Sequence, residues 1–360
     1  MPRLLAAFFA ISLCAADWPQ LFGPGRDGHS AEAKFDWNWP KGGPPVAWKF
    51  DAGSGWAGPV VAGERVILFH RVGDDEVLQC LTADAGKPVW KESYRTRYRD
   101  DFMFDDGPRA TPTIDGDRIF TLGANGDLHG WELATGKKLW HRTLVADYKV
   151  SKAYFGVACS PLVAGGKLLV NVGGKGAGVV AFDPATGKEL WKTSDDAASH
   201  SSPALAEIGG QKLAVFLTRR GLLALDPANG RVKYSHDWRP RIDASVNAAT
   251  PLVWKDEIFL SVSYGTGGIL LKAKGDELDE VWSNDRSLSC HYNTPVRVGD
   301  YLYGVHGRQE GGGAQLRCVE WKSGAVKWSQ ARFGLATLIA VDSGLLALAE
   351  SGDLIRFDAS

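Results

Sequence analysis

Eight side chains with binding chemistry stand two to four residues before a proline that recurs along this chain. They are Trp56, Arg109, Cys159, His200 and Asn247, with His291, Tyr292 and Asn293 as a run. A guanidinium, two imidazoles, two amides and two aromatic rings brought to one mouth can bind a polar or anionic planar ligand. The competing reading is structural: polar side chains beside tight inner strands satisfy backbone groups that water cannot reach. Which reading holds depends on whether the prolines place these residues on one rim.

Other stretches carry weaker signals. Asp100, Asp101, Asp105 and Asp106 lack the alternating-oxygen spacing of a calcium loop, and Arg95, Arg97 and Arg99 are at hand to pair with them. The glycines of GGKGAG (173–178) and QEGGGAQ (309–315) precede no helix, so no phosphate cradle is expected. No CxxC or His-Cys spacing offers a zinc site, and no metal is assigned. A Ser-His-Asp arrangement is not visible in the order of the chain, although such triads assemble in space.

The elements that must position the rim come from a repeat. WELATGKKLW (131–140) and AFDPATGKELW (181–191) are near copies, and LTADAGKPVW, LDPANGRVKY, LKAKGDELDEVW and VEWKSGAVKW extend the series. The closing aromatics Trp90, Trp140, Trp191, Tyr234, Trp282 and Trp328 are 50, 51, 43, 48 and 46 residues apart. A period of this size marks a propeller or a solenoid. Each period also holds a small or polar residue before proline (AGPVV, ATPTI, CSPLV, SSPAL, ATPLV, NTPVR) and two or three short apolar runs bounded by Gly, Asp and Asn. These features predict an all-β chain of four-stranded antiparallel units. Glycines such as Gly136 and Gly187 fall where a hairpin turn needs positive φ, and the Trp that follows is expected to pack on the neighbouring unit.

The chain ends complete the count. After Trp328 only three strands remain, and PPVAWKF (44–50), with Trp48, supplies one. Pairing the two fragments closes a ring and removes exposed sheet edges. Six full units and one shared unit predict a seven-bladed β-propeller, with eight blades as the alternative. Strand order puts the crossing loops between blades on one face, and three of them are long and rich in aromatic and charged residues: 91–109, 141–159 and 235–249. Long loops on a rigid scaffold commonly carry binding, so this is the expected functional face.

Composition narrows the partners. A formal net charge of −1, from 41 basic and 42 acidic residues, gives no reason to expect nucleic acid or an acidic membrane. The opening MPRLLAAFFAISLCAAD has one arginine, a short apolar run and small residues at Cys14 and Ala16. This pattern predicts a secretory signal over residues 1–16 and one propeller domain over 17–360, periplasmic or secreted. Lipidation at Cys14 is the alternative. The run is too short to span a membrane. Cys80, Cys159, Cys290 and Cys318 are not placed for disulfides and are expected to be buried thiols. A monomer is expected.

The clearest repeat copy, SPLV..GKLLVNVGGKGAGVVAFDPATGKELW, resembles the pyrroloquinoline-quinone (PQQ)-type propeller repeat. Quinoprotein alcohol dehydrogenases have it, and so does the propeller lipoprotein of the outer-membrane β-barrel assembly machinery. The opening DWPQLFGPGRDG, the GPRATPT that begins the second blade and a match through residue 330 look like exported PQQ-binding-like β-propeller repeat proteins. The resemblance is specific for fold and weak for function. It implies PQQ with calcium as a possible cofactor, with Trp56 and Arg109 where a stacking ring and a quinone-carboxylate partner would stand. The quinoprotein dehydrogenases, however, have eight blades, an adjacent cysteine pair and a carboxylate-amide set for calcium. Here no two cysteines are adjacent, and Asp105, Asp106 or Asp243 are the nearest candidates for a base.

These departures favour a non-catalytic exported module that binds a protein or glycan partner on the long-loop face. A PQQ-dependent alcohol dehydrogenase-like oxidoreductase is the alternative, and a scaffold for outer-membrane protein assembly is a further one.

Overall fold

Short apolar runs separated by glycine turns can form hairpins but no long helix, and the strands follow that plan throughout. The computed structural model describes residues 17–30, 35–151, 155–308, 313–342 and 344–359; the expected signal sequence lies outside them. The strands form seven sheets of four. In blade 1 they are Val60–Ala62, Arg65–Val72, Asp75–Thr82 and Pro88–Arg95, antiparallel in that order. Blades 2 to 6 repeat the plan over residues 113–143, 162–193, 204–237, 252–284 and 296–330. A single helical turn, Leu144–Asp147, opens one crossing loop. The fold is a seven-bladed β-propeller.

The last blade consists of Ala336–Val341, Gly344–Ala349 and Leu354–Asp358 with the N-terminal strand His29–Ser30. That strand runs parallel to the first of them, with His29 opposite Ala340 and Ser30 opposite Val341. The N-terminal chain therefore closes the ring, but through residues other than the expected 44–50, which form no strand. Pro44 and Pro45 open that segment without N–H donors for a ladder, and a two-residue strand has no alternation to read. Trp48 still docks: its indole lies over Gly86 of blade 1 and donates to Ala83 O at 2.8 Å.

Apolar cores lie between blades. Six clusters each join two consecutive blades, among them Phe120, Leu128, Val170 and Phe182 across blades 2 and 3. At the blade rims the joint is a ring stacked on a turn. In blades 1 to 6 the register slips beside the closing aromatic, as at Ala181/Phe182 just past the Ala181–Trp191 pair. Such a bulge bends the strand and re-aims the side chain. Trp140 thereby lies against Gly187 of the next blade, where an added Cβ would sit 2.5 Å from the ring, and its Nε1 donates to Pro184 O at 2.9 Å. Trp90 meets Gly136, Trp191 meets Gly230 and Trp282 meets Gly324 in the same way.

The residue before each proline has its own task. Gly58 N donates to Thr111 Oγ1, Thr111 N to Ser160 Oγ, Ser160 N to Ser202 Oγ and Thr250 N to Thr294 Oγ1, at 2.9 to 3.0 Å. Each hydroxyl reaches back across the gap to the preceding blade, so these bonds tie the inner strands of blades 1 to 4 in series and those of blades 5 and 6 as a pair.

Candidate functional site

The crossing loops and the turns between second and third strands share a face, as hydrogen bonds between them show. Thr96 N donates to Asp74 O, Leu144 N to Gly126 O and Trp238 N to Arg220 O. On this face the third residue before the anchor prolines is Trp56, Arg109, Ala158, His200, Ala248 and Tyr292 in blades 1 to 6.

Arg109 organises the first long loop. Its side chain is buried, with the guanidinium 4.8 Å from the centre of the Trp56 ring and 5.0 Å from that of Tyr98. Nη1 donates to Gly107 O at 2.9 Å and Nη2 to Asp105 O at 2.8 Å, with the buried Asp100 carboxylate 3.8 Å away. Asp100 Oδ2 in turn accepts Phe104 N. Asp105 accepts Gly55 N and Gly107 N, and Asp106 accepts Asp100 N. Arg71 holds the loop from below through Tyr98 O and Asp106 O. The acidic cluster thus braces its own loop.

His200 continues the surface towards blade 4. Its Nε2 donates to Gly156 O at 3.1 Å, its ring meets Phe155 edge-on, and Gly156 lies against Tyr98. Burial holds the imidazole down to about 4, and the nearby Arg109 charge adds to the effect. Asn247 is fully buried and ties Thr218 O to Trp238 O, while its own carbonyl accepts His200 N and Ser201 N. His291, Tyr292 and Asn293 form a separate group over blades 5 to 7. Tyr264 bonds His291 Nε2 at 2.8 Å, Tyr292 donates to Glu350, and Asn293 donates to Ala336 O. The expected rim therefore divides: Trp56, Arg109 and His200 join one surface, His291 and Tyr292 another, and Asn247 and Asn293 brace loops. Cys159 is fully buried, and all four cysteines from Cys80 to Cys318 are free thiols.

The feature of this face that the sequence reading passed over is the tip of the first loop. Phe102, Met103 and Phe104 are 45%, 91% and 60% exposed, and Phe102 stacks on Phe155 with ring centres 4.9 Å apart. The run FMF between aspartates was its only sequence signal.

The residues do not fit a quinone bound over calcium. Arg109 covers one face of Trp56 and is turned to the backbone carbonyls of Gly107 and Asp105; Asp105 and Asp106 are engaged with backbone amides. Asp243 is exposed and 3.5 Å from Arg239. Among the described residues no group of three or more His, Cys, Asp and Glu side chains is arranged to hold a metal ion.

The opposite mouth holds a plug. Trp18 pairs with Val61 of blade 1, Ile114 N of blade 2 donates to Pro19 O, and Gly63 N donates to Asp17. From this segment Arg26 enters the channel and is buried. Its five N–H groups meet Gln20 Oε1, Ser160 O, Pro203 O, Thr113 Oγ1 and Pro161 O. No carboxylate is among these acceptors, and burial lowers the guanidinium to about 10, still protonated at neutral pH.

Fold and loops define a repeat propeller with one loop-rich face and one plugged face. The chain belongs to the family described as outer membrane protein assembly factor BamB, whose pattern matches residues 73–330. BamB from Moraxella catarrhalis has a similar structure, with a TM-score of 0.60 at 16% identity, covering 87% of this chain and 85% of that one. The quinohemoprotein alcohol dehydrogenase of Comamonas testosteroni is more distant, with a TM-score of 0.44 at 14% identity over 92% of this chain and 76% of that one. Among curated proteins, the quinohemoprotein alcohol dehydrogenase ADH-IIG of Pseudomonas putida is 27% identical over 128 residues. The matched segment is 34% of this chain and only 17% of that enzyme. No described helix is long and apolar enough to cross a membrane.

Proposed function

We propose that this chain is an exported, non-catalytic binding module that holds a protein partner on its long-loop face. The observation that carries the reading is the Phe102–Phe104 tip: large apolar side chains turned to solvent on a loop whose base is fixed by Arg109, Asp100 and Arg71. Rigid, exposed aromatic anchors bind partners with little loss of conformational freedom. Membership of a family described as an assembly factor supports a protein rather than a glycan, and makes outer-membrane protein assembly the setting in which to seek it. The expected export to the periplasm agrees with that setting.

The test is a photo-crosslinking residue at Met103, compared with one at Lys167 on the other face, in the exporting cell. A discrete partner captured only from Met103 is expected, and Phe102→Ser with Phe104→Ser should weaken its binding in purified form at least tenfold at unchanged Tm. Equal capture from both sites, or calcium-dependent PQQ binding with alcohol oxidation by the purified chain, would sink the reading.

A further inference from the structure

We infer that the plugged face holds a second binding site, which takes a short extended peptide by strand addition in the part of the channel mouth that the plug leaves open. The plug lines the channel along blades 1 and 2 and pairs with blade 7, and beside it remains a cavity of about 720 Å³. Its other walls are the inner strands Ala204–Ile208 of blade 4 and Leu252–Trp254 of blade 5, with Arg297 of blade 6.

Both walls are edge strands. Ala204–Ile208 pairs only with Gln211–Leu217, and Leu252–Trp254 only with Glu257–Val262. On such strands alternate residues turn their N–H and C=O groups towards the channel, a ready template for another strand. This chain already uses the template twice. His29–Ser30 adds to the inner strand of blade 7, and Trp18 bridges to that of blade 1. Blades 4 and 5 offer the same edge with no described strand upon it.

The side chains beside the edges indicate what such a strand carries. Leu205 is 37% exposed and Trp254 45%, so both present apolar surface at the mouth beside the free edges. The Trp254 ring is held by the Arg297 guanidinium 3.9 Å from its centre. Lysine, arginine, aspartate and glutamate all line the mouth, through Lys255, Arg297, Asp300 and Glu207, so no single sign of charge is selected. The ligand class is therefore an uncharged, β-branched or apolar peptide of about five residues, the length of the blade 4 strand. This site lies on the face opposite the long loops and stands independently of the partner proposed there.

The probe is acetyl-Val-Thr-Val-Thr-Val-amide added to the full chain, read by amide hydrogen exchange and calorimetry. Exchange slowed at least fivefold within 204–208 or 252–254 is expected. The same peptide N-methylated at two alternate nitrogens should bind at least tenfold more weakly. Ala206→Trp, which fills the cavity, should abolish binding; if that variant does not fold, Leu205→Asp serves, with at least a fivefold loss. Several results would overturn the proposal: no protection at millimolar peptide, equal binding of the methylated form, or protection confined to 96–109. So would binding of maltoheptaose in place of the peptide, or protection that rises with protein concentration alone, which would assign the edge to a second copy.

Discussion

Burial lowers four imidazoles in this ring. His129 falls to about 3, with His141 and Lys138 adding to the effect, His200 and His306 fall to about 4, and His70 is lowered as well. An unfolded chain takes up these protons near pH 6.5, whereas the folded chain does not. Stability should thus be fully present above about pH 6.5 and fall as the pH drops towards 4, by about 1.4 kcal/mol per pH unit for each proton. Thermal melts between pH 7 and 4.5 test this; His129→Gln should flatten the slope, and an unchanged slope would contradict the assignment. Glu76 has the opposite sign. Desolvation raises its carboxyl although Tyr94 and Ala124 N bond it, so it weakens the fold as pH rises above about 4.5. Glu76→Gln should leave Tm unchanged or higher at pH 8, and a marked loss there would show that the charge is needed. None of this was legible in sequence, because the dominant cause in each case is burial, which the packing of strands and neighbouring blades creates. The rim was partly legible. Spacing before proline put Arg109, His200, Asn247 and Asn293 in one set, but could not show that the first two join one loop surface while the amides tie loops to inner strands.

At the scale of the strand and turn, one blade indexes the next through a ring on a glycine. Trp191 lies over Gly230 and donates to Pro227 O, so Trp191→Ala should cost about 3 kcal/mol, seen as a lower denaturant midpoint. Gly187 has φ of 68° and no room for a Cβ beneath Trp140; Gly187→Ala should cost about 2 kcal/mol from backbone strain, before any displacement of the ring. A midpoint unmoved by either change would deny the interlock. This level was the most legible, because turn chemistry, aromatic spacing and the hydroxyl-proline pair recur and so reveal themselves by comparison within one chain. What the repeats did not reveal was the purpose of the hydroxyl, which bonds a backbone N–H in the preceding blade.

The whole molecule depends on contacts that no repeat announces. Arg26 meets Ser160 O, Pro161 O and Pro203 O at separations of 134, 135 and 177 residues, and backbone acceptors leave no mark in a sequence. Arg26→Ala strands several buried carbonyls and should lower stability by at least about 2 kcal/mol. Arg26→Lys should not restore it, since three donors on a point charge cannot serve five fixed acceptors. Full recovery by lysine would make the cation, not its fork, the important part. The closing strand was misplaced for the same reason: His29–Ser30 is too brief for a pattern, while PPVAWKF looks like a strand and is not one.

That closure also sets an order in time. His29 and Ser30 emerge from synthesis early, yet their partners Ala340 and Val341 stand close to the far end of the chain. Blades can form one after another as they appear, and the plug can take its places on blades 1 to 4, but the His29–Ser30 strand cannot pair until Ala336–Val341 has been made. Without the last blade, Trp18, Pro19 and Arg26 would keep their partners on blades 1 to 4, and His29–Ser30 would lose the strand it pairs with. The seam between first and last strands is thus the last to be sewn, and what it adds is a locked circle rather than a seated plug.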